Sequence, residues 1–258
     1  MSLKDRVVLI TGASSGIGAL TAKLLADKGA IPVLTARSVG KMEELARGIR
    51  GTHAIYPMDV TDTAQVEETV ARVHERFGRL DILLNNAGYG EFVPFGEAPI
   101  EHFRDMMDVN YLGTVRCTKA VLPYMQKAGQ GHIVNVASLA GKIGTAKSTA
   151  YTATKHAVVG FTESLRLELS GTGILVSSVN PGPIDTPFFD RADPDGSYLR
   201  NVGWMVMPPE KVAKAIVKVM EHRLPEKDLP RIAAAGVRIR RLFPRWTDAI
   251  AAKLLNKK

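Results

Sequence analysis

The sequence predicts an α/β protein: a parallel sheet covered by helices on both faces, in a single domain. Three observations point there. Six short runs rich in valine, isoleucine and leucine alternate with longer amphipathic stretches. The runs lack the in-out alternation of a half-exposed strand, as expected where both faces of a sheet are covered. A glycine-rich turn joins the first run directly to the first amphipathic stretch. Repeated strand-helix-strand units imply parallel pairing through crossover helices.

Taken in order, Arg6–Thr11 (RVVLIT) is the first strand and Gly16–Lys28 the first helix. Ile31–Thr35 is a second strand, followed by a helix over Lys41–Ile49. His53–Tyr56 is a third, and Ala64–Arg76 is a helix with Val66, Val70 and Val73 at helical spacing. Asp81–Asn85 is a fourth strand, ahead of one long helix over Phe103–Ala128. His132–Ala137 is a fifth, Thr149–Ser170 a helix, and Leu175–Asn180 a sixth strand. Asp228–Ala235 is expected to be a seventh. One unit therefore runs over residues 1–222, and residues 223–258 add the seventh strand and a basic tail.

A chain of 258 residues buries a core large enough to fold without disulfides or metals. Its single cysteine, Cys117, has no partner for a bridge and no ligand spacing around it, so no metal is expected. The start Met1-Ser2-Leu3-Lys4-Asp5-Arg6 carries charges where a secretory signal needs an apolar run, and the expected location is the cytoplasm. Net charge is +8, but residues 223–258 hold ten lysines and arginines against three acids. The body is therefore nearly neutral, which argues against a nucleic-acid surface and makes the basicity a property of the tail.

The turn after the first strand reads Thr11-Gly12-Ala13-Ser14-Ser15-Gly16-Ile17-Gly18. A dinucleotide pyrophosphate needs a tight bend, close backbone approach and the N–H groups of a helix N-terminus. Gly12, Gly16 and Gly18 supply the first two because they lack a Cβ. The second strand ends Ala36-Arg37-Ser38 with no acid to bind a ribose 2′-hydroxyl, while Arg37 suits a 2′-phosphate. NADP(H) is thus favoured over NAD(H). Beyond the third strand, Asp59-Val60 offers a carboxylate that either accepts from an adenine amino group or caps the helix starting near Asp62; both alternatives stay open here.

Four polar residues suit carbonyl chemistry. Ser138 follows the fifth strand, Tyr151 opens a helix, Lys155 lies one turn on along the same face, and Asn110 lies in the long helix. Reduction of a carbonyl needs a proton donor to oxygen as hydride reaches carbon. A phenol ordinarily titrates near 10, and the Lys155 ammonium is expected to lower that value. Ser138 is placed to hydrogen-bond the substrate oxygen, and Asn110 to hold a water relaying protons to Lys155.

With Thr11-Gly12-x-x-x-Gly16-x-Gly18, Asn85-Asn86-Ala87-Gly88, Asn110, Ser138, Tyr151-x-x-x-Lys155 and Pro181-Gly182 in this order, the chain resembles the short-chain dehydrogenase/reductase family over residues 6 to about 222. The resemblance implies a Rossmann-like doubly wound sheet of about seven strands, with the cofactor across the strands' carboxyl ends. It implies Tyr151 as general acid/base, Lys155 also binding the nicotinamide ribose, and Asn86, Ala87 and Gly88 lining the adenosine side. Pro181, Gly182, Ile184 and Thr186 would border the nicotinamide. It also implies a homodimer or homotetramer pairing through Phe103–Ala128 and Thr149–Ser170. The chain lacks the Val-Asp-Gly-Gly ending of many bacterial members. In continuing past it, the sequence is more similar to the branch of 11β-hydroxysteroid-dehydrogenase-like reductases.

The tail interleaves Val237, Ile239, Leu242, Phe243 and Trp246 with four arginines. Packing over the pocket mouth or a partner subunit is favoured over lying on an anionic membrane surface. Substrate contacts are expected from Leu139–Ala146, Tyr89–Phe95 and Thr186–Met207. The last of these is rich in aromatics and forms a lid over a small apolar ketone, aldehyde or alcohol. A non-catalytic NADP-binding regulator on the same fold is the competing class, disfavoured by the presence of all four polar residues.

Overall fold

The computed structural model describes residues 2–230 and Ile232. Seven strands form one sheet in the order β3-β2-β1-β4-β5-β6-β7, every neighbouring pair parallel. The strands are β1 (Val7–Thr11), β2 (Ile31–Ala36), β3 (Ala54–Pro57), β4 (Ile82–Asn85), β5 (Gly131–Val136), β6 (Ile174–Pro181) and β7 (Glu226–Leu229). The connecting helices are α1 (Gly16–Asp27), α2 (Val39–Ala46), α3 (Thr63–Phe77), α4 (Ile100–Met107), α5 (Gly113–Ala128), α6 (Thr149–Glu168), α7 (Phe188–Ala192), α8 (Ser197–Val202) and α9 (Pro209–His222). The chain winds outward from β1 to β3, then returns and winds the other way from β4. The topological switch, where doubly wound sheets bind ligands, lies between β1 and β4.

Side chains alternate across each strand, so a strand covered on both faces feeds two cores. In β1, Val8 and Ile10 point to a cluster shared with Ala22 and Leu25 of α1 and Val212, Ile216 and Val219 of α9. Val7 and Leu9 point to the other face, against Val66, Val70 and Val73 of α3, Cys117 and Val121 of α5 and Leu165 of α6. All five β1 residues are buried, which is why the run shows no polar alternation. α3 starts at Asp62, whose side chain accepts from Gln65 N at 3.1 Å, and stops at Gly78 in the left-handed conformation.

Three expectations need correction. The long helix over Phe103–Ala128 starts earlier, at Ile100, and is broken by one π-helical turn, Asp108–Leu112, between α4 and α5. Such a turn commonly marks a functional position in a helix. The seventh strand starts two residues before Asp228 and ends at Leu229 rather than Ala235. Finally, α9 is an additional helix. Pro209 at its first position and apolar Val212, Ile216 and Val219 are its signals in the sequence. The tail segment Val237–Trp246 lies outside the described residues.

Candidate active site

A cavity of about 1230 Å³ opens at the carboxyl ends of the strands, at the switch between β1 and β4. On one side it is lined by the turn after β1, through Gly12, Ser14, Ser15, Gly16 and Ile17. No side chain caps α1, so the N–H groups of its first turn are left to a ligand in the cavity. Arg37 and Ser38 line the cavity after β2, and Asp59 and Val60 after β3. Asn86, Ala87 and Gly88 line it after β4; Pro181, Gly182, Ile184 and Thr186 do so after β6.

Gly18 is the exception among the expected cofactor contacts: it does not line the cavity. A Cβ there would lie 2.5 Å from Gly12 O and 2.6 Å from Asn86 Nδ2, so Gly18 lets α1 pack tightly beneath the turn. Asn86 locks that packing, its Nδ2 donating to Thr11 O at 3.0 Å and Gly12 O at 3.1 Å. The Thr11 hydroxyl accepts from Asn86 N at 3.0 Å and Ala87 N at 2.9 Å, tying β1 to β4 beside the turn. Sequence reasoning quoted Thr11 only as part of the motif and missed this role. The bend therefore gives a cradle whose floor is backbone, which fits a dinucleotide pyrophosphate. Asp59 is not the cap of α3, since Asp62 is. Asp59 Oδ1 instead accepts from Thr61 N and Oγ1 at 2.9 and 2.8 Å. No ion pair among the described residues engages Arg37.

The other half of the cavity holds Ser138, Tyr151 and Lys155. Ser138 follows β5 and caps the 3₁₀ turn Leu139–Gly141, accepting from Ala140 N at 3.0 Å and donating to Pro181 O at 3.2 Å. Tyr151 and Lys155 share one face of α6. Lys155 Nζ donates to Val136 O at 3.0 Å and lies 5.7 Å from the Tyr151 ring centroid. Burial pushes the Tyr151 phenol well above its ordinary value, against a smaller opposing effect of its hydrogen bond with Ser138. Burial also pulls Lys155 down to about 8. The expectation that the ammonium lowers the phenol's pKa is thus overturned here: the phenol is raised, chiefly by burial, and burial weakens the ammonium as well.

Asn110 is buried in the π-helical turn and does not line the cavity. Its Oδ1 accepts from Tyr89 N at 2.9 Å, and its Nδ2 donates to Tyr89 O at 2.8 Å and Thr154 Oγ1 at 3.0 Å. Both amide hydrogens are spent on protein. The side chain pins the loop after β4 to α6.

Aromatic rings wall the space over Tyr151. Phe188 meets it at 5.5 Å and Phe92 at 6.1 Å between centroids. Phe189, Tyr198, Trp204 and Met205 continue the wall, and Leu139, Ile143 and Thr145 close it from the Ser138 loop. All three segments expected to touch substrate reach the cavity. In the segment expected to form a lid, α7 is fastened to the loop after β4 by Phe92 N donating to Ala192 O at 2.9 Å and by the Arg191–Glu91 ion pair.

Comparison with known proteins is consistent with this geometry. The short chain dehydrogenase family model matches residues 6–196. The chain belongs to the short-chain dehydrogenase family. An uncharacterized oxidoreductase of Staphylococcus saprophyticus is 42% identical over 226 residues, covering 86% of this chain and 94% of that one. Among solved structures, a short-chain dehydrogenase/reductase from Burkholderia phymatum in complex with NAD superposes with a TM-score of 0.88 at 26% identity, covering 96% of each chain. The closed form of serine dehydrogenase complexed with NADP+ gives 0.80 at 32% identity, covering 86% of this chain and 94% of that one. This short-chain dehydrogenase is therefore an oxidoreductase of a fold that binds nicotinamide cofactors, and relatives with NAD and with NADP both resemble it. Among its described residues no helix is long and apolar enough to cross a membrane.

One feature of this short-chain dehydrogenase escaped sequence reasoning altogether. Lys142, buried just past the Ser138 turn, pairs with Glu226 and Asp228 of β7, at 2.7 Å to Asp228 Oδ1. Asn180 Nδ2 donates to the same Asp228 oxygen at 2.7 Å. The loop after Ser138 is thereby bolted to the edge strand.

Proposed function

We propose that this short-chain dehydrogenase moves a hydride between NADP(H) and a carbonyl or secondary alcohol carbon of a small apolar substrate, with Tyr151 as general acid/base. The observation that carries the proposal is the continuity of one cavity from the glycine cradle and Arg37 to Tyr151, Ser138 and Lys155. The nicotinamide cofactor, when bound, supplies or accepts the hydride. Tyr151 holds the proton for the carbonyl oxygen, and its burial keeps the phenol protonated, the form that reduction requires. Ser138 hydrogen-bonds the same oxygen and steadies its charge. Lys155 holds a ribose hydroxyl, and Asn110 acts as a positioning residue for the loop that carries Gly88 and Tyr89. Arg37 takes the 2′-phosphate, which favours NADP(H), because Ala36 stands where an acid would select the 2′-hydroxyl.

The aromatic wall supports a small apolar substrate, and the branch of 11β-hydroxysteroid-dehydrogenase-like reductases is the one this proposal favours. A cytoplasmic homodimer or homotetramer accompanies this proposal. Exposed Leu112 in the π-helical turn and Leu167 on α6 supply apolar surface on the elements expected to pair. The test is a titration with NADPH and NADH, then a ketone panel followed by nicotinamide absorbance. Tyr151→Phe should abolish turnover and leave NADPH affinity nearly intact. Turnover retained in that variant removes Tyr151 from its role.

A further inference from the structure

Tyr198 is a polar group in the substrate half of the cavity that the reaction above does not use. It stands near the start of α8 in the lid, with its backbone N–H held by Asp193 Oδ1 at 3.0 Å. Its ring stacks on Phe189 with centroids 5.9 Å apart and interplanar angle 16°, and meets Phe92 edge-on at 4.9 Å. Phe92 in turn meets Tyr151. Two phenols therefore flank one aromatic side chain, facing a common apolar space.

Several other polar side chains lining this half already have partners. Ser138 is bonded to Pro181 O and Ala140 N, Thr145 and Ser148 bond each other at 2.7 Å, and Arg191 pairs with Glu91. Among the described residues no hydrogen bond engages the Tyr198 hydroxyl. Burial, then the nearby Asp193 carboxylate, pushes its pKa up to about 12, so it stays a neutral phenol throughout the working range. Tyr198 is half-buried and lines the cavity, so its hydroxyl is open to the cavity space, and a substrate that excludes water there must supply it with a partner or leave it unpaired. The packing of the ring alone would be met equally well by phenylalanine.

We infer that Tyr198 is a specificity-determining residue whose hydroxyl hydrogen-bonds a second polar group on the substrate, across an apolar body from the carbonyl at Tyr151. The substrate class is then a bifunctional apolar ketone, such as a hydroxyketone or diketone, rather than a simple one. The inference rests on the reaction proposed above. A site built to pair a substrate hydroxyl rejects the analogue lacking it, because its own polar group is then left unpaired.

The experiment compares wild type and Tyr198→Phe on 2-tetralone and 6-hydroxy-2-tetralone with NADPH, both proteins first shown to bind NADPH equally. Wild type should favour the hydroxyketone. In Tyr198→Phe the ratio of the two kcat/KM values should fall by about tenfold or more, chiefly through KM. A ratio unchanged by the substitution overturns the inference. If wild type reduces neither ketone, the fault lies with the reaction assigned to Tyr151, and the same pair is titrated by quenching of tryptophan fluorescence, since Trp204 lines the cavity. Tighter binding of the hydroxyketone that is lost in Tyr198→Phe supports Tyr198; equal binding by both proteins overturns it.

Discussion

Replacing Lys155 with methionine probes how far burial governs this site. The Lys155 side chain is buried, and burial lowers its pKa from 10.5 to about 8. The folded protein thus holds this proton less tightly than the unfolded chain does. Between pH 8 and 10.5 the unfolded state binds more protons, so stability rises with pH across that window; below it the full penalty is present. At 1.36 kcal/mol per pKa unit, the charged lysine costs about 3 kcal/mol at pH 7 and about 1 kcal/mol at pH 10. Lys155→Met has no such titration. Its loss of the 3.0 Å bond to Val136 O is an offset common to the whole range. Wild type should therefore gain about 2 kcal/mol on the variant between pH 7 and pH 10. Urea unfolding of both proteins at several pH values, followed by circular dichroism, measures the difference directly. Other groups that titrate in both proteins cancel. A difference that does not vary with pH would refute the argument and return Lys155 to an ordinary ammonium.

Three further substitutions test separate parts of the site. Arg37→Ser should weaken NADPH roughly 10- to 100-fold, the loss of about 1.5–3 kcal/mol of charge-assisted hydrogen bonding, with little change for NADH; equal losses in a fluorescence titration would rule out 2′-phosphate recognition. Gly18→Ala brings a Cβ to 2.5 Å from a backbone oxygen that cannot yield, so both cofactors should bind about tenfold or more weakly, and unchanged affinity would sink the cradle argument. Lys142→Met strands Glu226 and Asp228 without their shared cation and should destabilise the fold by about 3–5 kcal/mol in urea unfolding. Adding Asp228→Asn should recover part of that loss, and no recovery would mean the cluster is not electrostatically coupled.

The six runs on which the fold prediction rested were legible because each is buried on both faces, leaving an uninterrupted apolar signature. The phosphate turn was legible for a related reason: close backbone approach excludes a Cβ, and glycine alone meets that demand. What escaped depends on partners distant in the chain. The π-helical turn at Asp108–Leu112 accompanies Asn110 clasping both backbone groups of Tyr89, 21 residues away. Periodicity across Phe103–Ala128 carries no trace of that clasp. Lys142 finds Asp228 86 residues on, across the edge of the sheet. α9, by contrast, had local signals at Pro209 and in its apolar stripe.

Electrostatics escaped for another reason. Tyr-x-x-x-Lys spacing on a helix fixes proximity, and proximity alone predicts that the ammonium depresses the phenol. The sign reverses because α6 places both groups against β5 and the aromatic lid, where desolvation penalises the phenolate and the ammonium together. Spacing identifies which groups meet. Whether a group acts as acid or base depends on the water that the surrounding walls exclude, and those walls come from Phe92, Phe188 and Phe189 on segments remote from α6 in sequence. A proton donor kept neutral by its enclosure suits reduction of a carbonyl. Opening the lid to water would weaken that preference before disturbing any residue of the motif.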